Sequence, residues 1–137
     1  MPLQFIPQVH RATHRIGLHI EQLGAGVNQG EAHILAHLAA SDGATVAELH
    51  RAFAHKRSTL TSILDRLEER GMIDRRTDAR DRRTFVISLT ARGRVLARRV
   101  SSHLAAFEAR VLERLSLRDV AAFARVLDVL EESAEQL

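Results

Sequence analysis

The sequence predicts a mainly α-helical fold with a small β component, an α+β chain, on three observations. Its 137 residues are the length of a single domain. Most apolar residues recur every three or four positions, which is the periodicity of amphipathic helices. The stretch 72–89 differs, because two short β-prone segments there flank a polar, turn-prone segment, as in a hairpin.

The composition narrows the class of protein. Hydrophobic residues make up 45% and charged residues 27%, which is an ordinary balance for a globular domain. Cysteine is absent, which excludes a disulfide scaffold, thiolate catalysis and Cys-ligated zinc and is typical of a reducing compartment. No apolar stretch is long enough to span a bilayer, and residues 1–10 lack the layout of a secretory signal. We therefore expect a cytoplasmic protein without a membrane partner.

The first two helices are indicated by their ends. The first follows Pro7, a residue that the first helical turn accepts, and ends at the glycines of 24–26. Asn28 with Glu31 three positions later is a capping-box pattern. We expect a second helix from there to about Ala40.

A short and a longer helix follow, joined by a tight connection. Thr45 and Glu48 form a second capping-box pattern and open a helix that ends near residue 53. The next helix runs from 56 to 70, and Gly71 ends it. A short helix, a tight connection and a longer helix are the layout of a helix-turn-helix.

The hairpin and two further helices complete the prediction. Candidate strands at 72–76 and 84–89 flank the basic turn 77–83, and a basic hairpin directly after a helix-turn-helix is a wing. Thr90 caps a long helix, and Ser116 opens a last one. The predicted architecture is a winged helix-turn-helix with a two-stranded wing and additional terminal helices.

The charge is distributed unevenly along the chain. The net charge is only +3, yet residues 51–99 hold 14 Lys/Arg against 6 Asp/Glu, a local +8, which leaves −5 for the rest. Nineteen of the twenty basic residues are arginine, whose forked guanidinium suits phosphate and base edges. This distribution indicates a segment that binds a polyanion, between two segments that do not.

The same segment resembles a known family. Residues 64–75, LDRLEERGMIDR, resemble the end of the recognition helix and the first wing strand of MarR-type transcription regulators. The family's wing signature, Asp-x-Arg, five residues, Leu-Thr and a following glycine, is matched by Asp81, Arg83, Leu89, Thr90 and Gly93. The order of helices agrees over roughly residues 8–135.

The resemblance implies a transcriptional regulator that binds double-stranded DNA, without enzymatic activity or a cofactor. It implies a homodimer on a palindromic operator, usually a repressor, with a small-molecule effector. Within one domain of 1–137, dimerisation helices are expected in 1–27 and 91–137 and the DNA-binding winged-helix lobe in 28–90. The sequence departs from the family at Ser62, where several members carry a long basic residue that reads bases, so the operator cannot be inferred from a relative.

The candidate DNA contacts lie first at the amino-terminal end of the fourth helix, because that end of a recognition helix enters the major groove. The residues there are Lys56, Arg57, Ser58, Thr59, Thr61 and Ser62. Short hydroxyls permit close approach, and an arginine can donate two hydrogen bonds to guanine. In the alternative interpretation, the hydroxyls at 58 and 59 only cap the helix and the arginine is solvated.

Arg66 and Arg75 are further candidates for DNA contact, and they lie farther along the chain. Arg66 is equally well explained as a surface partner of Asp65 or Glu69.

The wing supplies the second group of candidates. Arg80, Arg82 and Arg83 are crowded at its tip, which is unfavourable unless an anion such as a narrow minor groove neutralises them. Asp81 lies two residues from Arg83, on the same side of a strand, and is expected to hold its guanidinium by paired hydrogen bonds. The alternative is a solvated, charged hairpin.

Two other classes of function remain open at this point. His10/His14 and His33/His37 have a spacing that puts two imidazoles on one helix face, and Glu21, Glu31 or His103 are possible completing ligands of a metal-responsive sensor. Neither pair lies in a metalloprotease-type context, so no metal site is assigned. A winged helix used only as a protein–protein module is the other alternative. The sequence provides no support for an enzymatic function, because it contains neither a phosphate-binding glycine loop nor a nucleophile elbow.

Overall fold

The computed structural model describes residues 1–135, which form six helices and three short strands. In chain order these are α1 (Ile6–Glu21), α2 (Gln29–Ala39), β1 (Ala44–Thr45), α3 (Val46–Phe53), α4 (Arg57–Glu69), β2 (Ile73–Thr77), β3 (Phe85–Leu89), α5 (Ala91–Leu112) and α6 (Leu117–Glu135). The predicted fold class is confirmed, and each predicted helix and wing strand is present within about two residues of its expected bounds. None of the described helices is both long and apolar enough to cross a membrane.

The predicted capping residues begin the helices as expected. Thr45 and Glu48 form a closed capping box at α3, with hydrogen bonds of 3.0 and 3.1 Å in the two directions. Ser116 and Asp119 do the same at α6, at 2.9 and 3.1 Å. At α2 the side chain of Asn28 accepts a hydrogen bond from the amide of residue 31 at 2.9 Å, which is the first half of such a box. These short-range bonds satisfy amide groups that have no partner within the helix.

The sheet contains one strand more than the predicted hairpin. Its order is β1-β3-β2, and both pairings are antiparallel. In β3, Ile87 pairs with Arg75 of β2 on one side and with Ala44 of β1 on the other. A strand of two residues is too short to produce an alternating pattern, so the sequence predicts only the start of a helix at Thr45.

The core lies where α2, α3 and α4 pack with the sheet. α2 contacts α1, α4 and β3, and α4 contacts β2. One face of α2 and one face of α4 are buried, and the fully buried residues of the core include Ile34, Leu35, Leu38, Leu49, Leu60, Leu64, Leu67, Ile73 and Ile87. Phe85 lies on the same face of β3 as Ile87 and Leu89, but it is 48% exposed because the outer end of the hairpin extends beyond this core.

The chain divides into two compact units, Met1–His103 and a second unit that begins at Leu104. The first contains α1–α4, the sheet and the start of α5. The second contains the end of α5 and α6, and no described residue of α6 is buried within the chain. The division into a DNA-binding lobe of 28–90 and dimerisation helices stays a prediction.

The start of α5 is held tightly against the junction of α4 and β2. The hydroxyl of Thr90 donates to the carbonyl of Gly71 at 2.6 Å and accepts from the amide of Gly93 at 3.0 Å. The amide of Thr90 donates to the carbonyl of Met72 at 3.0 Å. A Cβ at position 93 would lie 1.8 Å from that carbonyl oxygen. The close approach therefore requires glycine at position 93.

We predict that Gly93→Ala lowers the free energy of unfolding by roughly 2–3 kcal/mol, because neither Met72 nor the α5 backbone can move without breaking the Thr90 hydrogen bonds. Urea denaturation at a fixed protein concentration measures this change. Gly17→Ala is the matched control, since the added methyl group would meet only the mobile end of the Gln29 side chain. In α1 that substitution should be neutral or should gain up to about 1 kcal/mol in helix propensity. Equal stability of the two variants would contradict the packing argument.

Candidate nucleic-acid interface

The amino-terminal end of α4 is exposed and its backbone amides are free. The N-cap residue is Lys56, with φ of −59° and ψ of 148° and without a side-chain capping bond. The first helical hydrogen bond runs from the amide of Leu60 to the carbonyl of Lys56, so the amides of 57–59 have no partner in the helix. Free amides at a helix start, together with a cationic N-cap, favour an anion such as phosphate.

The side chains at this end are turned outward. The six predicted residues, Lys56, Arg57, Ser58, Thr59, Thr61 and Ser62, are all exposed. The alternative interpretation, that the hydroxyls of residues 58 and 59 cap the helix, receives no support within residues 1–135, because neither forms a hydrogen bond there. Their contact with DNA stays a prediction.

The connection between α3 and α4 sets where this end lies. Ala54, the C-cap residue that follows α3, adopts the left-handed conformation with φ of 54°. For a residue other than glycine this conformation costs roughly 1 kcal/mol, so the surrounding packing enforces the turn. Arg51, in the last turn of α3, lines a groove with Arg57 and Thr61. Arg51 is not among the site residues predicted from the sequence, although it begins the basic segment 51–99.

The two remaining candidates, Arg66 and Arg75, form ion pairs within the chain. The Nε of Arg66 lies 3.7 Å from a carboxylate oxygen of Glu31, rather than beside Asp65 or Glu69 as the alternative interpretation expected. Arg75, on β2, pairs with Asp65 and lies 3.5 Å from a carboxylate oxygen of Glu68, both on α4. These pairs link α4 to α2 and to the wing. A role of Arg66 and Arg75 in DNA contact stays a prediction.

The wing tip contains the expected Asp81–Arg83 pair. The Nε and Nη2 of Arg83 donate to the two carboxylate oxygens of Asp81 at 3.1 and 3.4 Å, and the amide of Arg83 donates to the same carboxylate at 3.1 Å. These hydrogen bonds lower the pKa of Asp81 below its usual value. Both residues lie in the turn between β2 and β3, so the prediction that they share one side of a strand is wrong, although the predicted pairing forms.

The basic side chains of the wing face solvent. The turn is closed by the amide of Asp78, which donates to the carbonyl of Thr84 at 2.9 Å, and by the carboxylate of Asp78, which accepts from the amide of Arg80 at 3.0 Å. Arg80 and Arg82 are exposed, and the side chain of Arg83 is 89% exposed in spite of its carboxylate partner. An exposed guanidinium that is already oriented can donate to an incoming anion at a small entropic cost.

The histidines are distributed over several contacts. The rings of His10 and His14 are stacked at 6.3 Å, and His19 stacks on His103 at 4.4 Å. His37 makes an edge contact with Phe53.

His33 has a pKa below its usual value because of burial and the neighbouring charge of His55. Glu31, a possible completing ligand, is occupied in ion pairs. Within residues 1–135, no three His, Asp or Glu side chains are arranged to hold a metal ion.

Comparison with known proteins identifies the family. A sequence model of the MarR family matches residues 25–84, which run from the α1–α2 loop to the wing. The HTH-type transcriptional repressor Rv2887 of Mycobacterium tuberculosis is 36% identical over 93 residues, which cover 68% of this chain and 67% of that protein.

Two solved structures have the same fold. The S. aureus MepR–DNA complex aligns with a TM-score of 0.83 at 23% identity and covers 97% of this chain and 99% of the other. The PcaV transcriptional regulator from Streptomyces coelicolor, in complex with its natural ligand, aligns with a TM-score of 0.79 at 21% identity and covers 98% and 99%. The sequence match and the shared architecture agree with the exposed helix end and basic wing. The chain belongs to the MarR family and is a DNA-binding transcriptional regulator, not an enzyme.

Proposed function

We propose that the protein is a homodimeric repressor that binds a palindromic operator and releases it when a small effector binds. The observation that carries the proposal is the exposed, uncapped amino-terminal end of α4 followed by an arginine-rich wing. The repressor assignment is supported by the 36% identical relative, which is named as one. The effector is supported by the related fold of PcaV in complex with its natural ligand.

The end of α4 reads bases in the major groove. Arg57 supplies the long forked donor, and the hydroxyls of Ser58, Thr59, Thr61 and Ser62 allow the backbone to approach base edges and phosphates. Lys56 and the free amides of 57–59 hold a phosphate. Arg66 and Arg75 contribute to the positive potential beside this end, each with part of its guanidinium paired to a carboxylate.

The wing contacts the minor groove. Arg83 enters it, with Arg80 and Arg82 beside the flanking phosphates, because a narrow groove concentrates negative potential. Asp81 keeps the Arg83 guanidinium in one orientation before DNA arrives. Pre-orientation reduces the entropy that binding must overcome.

The terminal helices form the dimer interface. In the isolated chain α6 has no buried residue, and its exposed apolar side chains include Phe123, Val126 and Leu127, which lie on one side of the helix. α1 and the segment before it expose Leu3, Phe5, Ile6 and Val9. A second copy of the chain would bury such surfaces, since apolar patches of this extent are unusual on monomers. Dimerisation helices in 1–27 and 91–137 would then support two winged-helix lobes of 28–90, whose separation an effector shifts.

The dimer is tested by sedimentation velocity. We expect a single dimeric species at every concentration at which the protein is folded, because the exposed apolar side chains of α6 form a core with those of the second copy. Phe123→Glu should dissociate or unfold it, since the substitution buries a charge in that core. Arg125→Glu is the matched control, because two positions along a helix place a side chain on the opposite side. A stable folded monomer of the unmodified chain would contradict the dimer.

The salt dependence of DNA binding tests contact with the backbone. If each protomer neutralises about three to five phosphates, log K should fall against log[salt] with a slope of roughly −5 to −9. Fluorescence anisotropy of a labelled duplex at several salt concentrations measures the slope. A slope near zero would mean that the basic segment does not touch phosphate.

The Asp81–Arg83 pair is tested by whether removal of its negative charge raises or lowers DNA affinity. Arg83→Ala should weaken binding to selected and random duplexes by about tenfold, because the groove it enters barely distinguishes A·T from T·A. Asp81→Ala should also weaken binding, although it removes a negative charge, because Arg83 loses its orientation. The double variant should be little worse than Arg83→Ala alone.

The matched control for this test is Asp74→Ala, which removes another exposed carboxylate of the hairpin. It should bind DNA slightly more tightly, as simple electrostatics requires. The proposed role of the wing is contradicted if Asp81→Ala raises DNA affinity as Asp74→Ala does and Arg83→Ala leaves DNA affinity unchanged.

A further inference from the structure

Glu31 is the one buried charged residue in the part of the chain that the structure describes, with 5% of its surface exposed. It lies in the first turn of α2, three positions after the N-cap Asn28. The same spacing at Thr45/Glu48 and Ser116/Asp119 produces carboxylates that bond to their own helix starts. The Glu31 carboxylate instead contacts side chains from another helix region.

This carboxylate pairs with two arginines of the α4 region. One oxygen lies 3.7 Å from the Nε of Arg66 and the other 3.6 Å from the Nη1 of Arg70. Arg70 also donates to the backbone carbonyls of Gly26 at 2.7 Å and Ala25 at 3.4 Å. We call Glu31, Arg66 and Arg70 the Glu31 cluster. It connects the carboxyl-terminal end of α4 to the first turn of α2 and to the loop before it.

We propose that Glu31 is a positioning residue for DNA recognition: through Arg66 and Arg70 its carboxylate sets the direction in which α4 presents its base-reading end. The inference rests on the proposed function, in which α4 is the recognition helix. A buried carboxylate is stable only while its cationic partners remain in place, so the cluster opposes any displacement of this end of α4.

The length of α4 makes a small tilt important. Arg57 and Arg66 are nine residues apart, which is about 14 Å of helix. A tilt of about 10° around the Glu31 cluster moves the base-reading end by about 2 Å. A displacement of that size breaks hydrogen bonds to base edges, whereas contacts to the more uniform phosphate backbone adapt to it. Loss of the cluster should therefore reduce discrimination between duplexes more than it reduces overall affinity.

The test compares Glu31→Gln with Glu69→Gln. Both substitutions remove one negative charge beside Arg66 and Arg70, because Glu69 lines the same groove. Glu69 is exposed and forms no ion pair within the described residues, which makes it the matched control. The measurement is the affinity for an operator selected from random duplexes and for a duplex of random sequence, at one salt concentration.

Positioning and simple electrostatics predict opposite results. If Glu31 positions α4, Glu31→Gln lowers operator affinity by about tenfold and leaves random-duplex affinity unchanged or higher. Glu69→Gln should keep the wild-type ratio of the two affinities. If Glu31→Gln binds the operator as tightly as Glu69→Gln does, the proposal is overturned.

A second variant covers the case in which Glu31→Gln does not fold. Arg70→Gln removes a more accessible member of the cluster, and circular dichroism checks its fold. Loss of a surface cation alone would weaken both duplexes equally, whereas a positioning role weakens the operator more. Where all variants fold, Glu31→Gln/Arg70→Gln should be no worse than the weaker single variant, because the residues act as one unit. An equal loss on both duplexes with Arg70→Gln would contradict the proposal.

The wild-type protein separates this inference from the proposed function. If it binds the selected operator no better than the random duplex, the proposed function fails, and the positioning role fails with it. If the wild type discriminates and the discrimination survives loss of the cluster, only the positioning role fails.

Discussion

Burial of one face of α4 is the constraint on which the rest of the first unit depends. Leu60, Ile63, Leu64 and Leu67 are nearly inaccessible, and each buried side chain of this kind contributes about 1.5–3 kcal/mol. Rotation of α4 about its axis would expose these side chains and bury the charged residues between them. The outward direction of the polar amino-terminal end is therefore a consequence of the core.

Within the orientation that burial allows, acidic side chains refine the positions of basic ones. Asp65 and Glu68 hold Arg75 between α4 and the wing, and the carboxylate of Asp81 holds Arg83 at the wing tip. Exposed pairs of this kind contribute little to stability. Their physical effect is to reduce the number of conformations of an arginine before an anion arrives, which is the condition for selective binding.

In the second unit, local hydrogen bonds define a helix whose residues all stay at least partly exposed. α6 begins with a closed capping box and is regular to the end of the described residues, yet it buries nothing within its own chain. The capping box and the backbone hydrogen bonds of α6 define where this helix of 19 residues begins. Most of the stability of a helix in a protein, however, comes from packing its apolar face. The exposed side chains of α6 are consistent with a function that requires a second copy of the chain.

The sequence by itself determined those features that depend on neighbouring residues. The capping pairs at 28, 45 and 116 mark helix starts, the spacing of leucines marks the buried face of α4, and the Asp81–Arg83 pair forms within three residues. Each of these results from contacts across a few positions, where the backbone geometry of the element already sets the distances.

Only the tertiary structure decided the contacts between elements. Strand β1 has two residues and exists because β3 offers it unpaired backbone groups. Glu31 has the spacing of a capping residue, yet its carboxylate meets arginines 35 and 39 positions away. Phe85 continues the alternation of a buried strand face but lies beyond the edge of the core. In each case the outcome depends on which partner the packing of other elements brings near, and a local pattern contains no information about that distance.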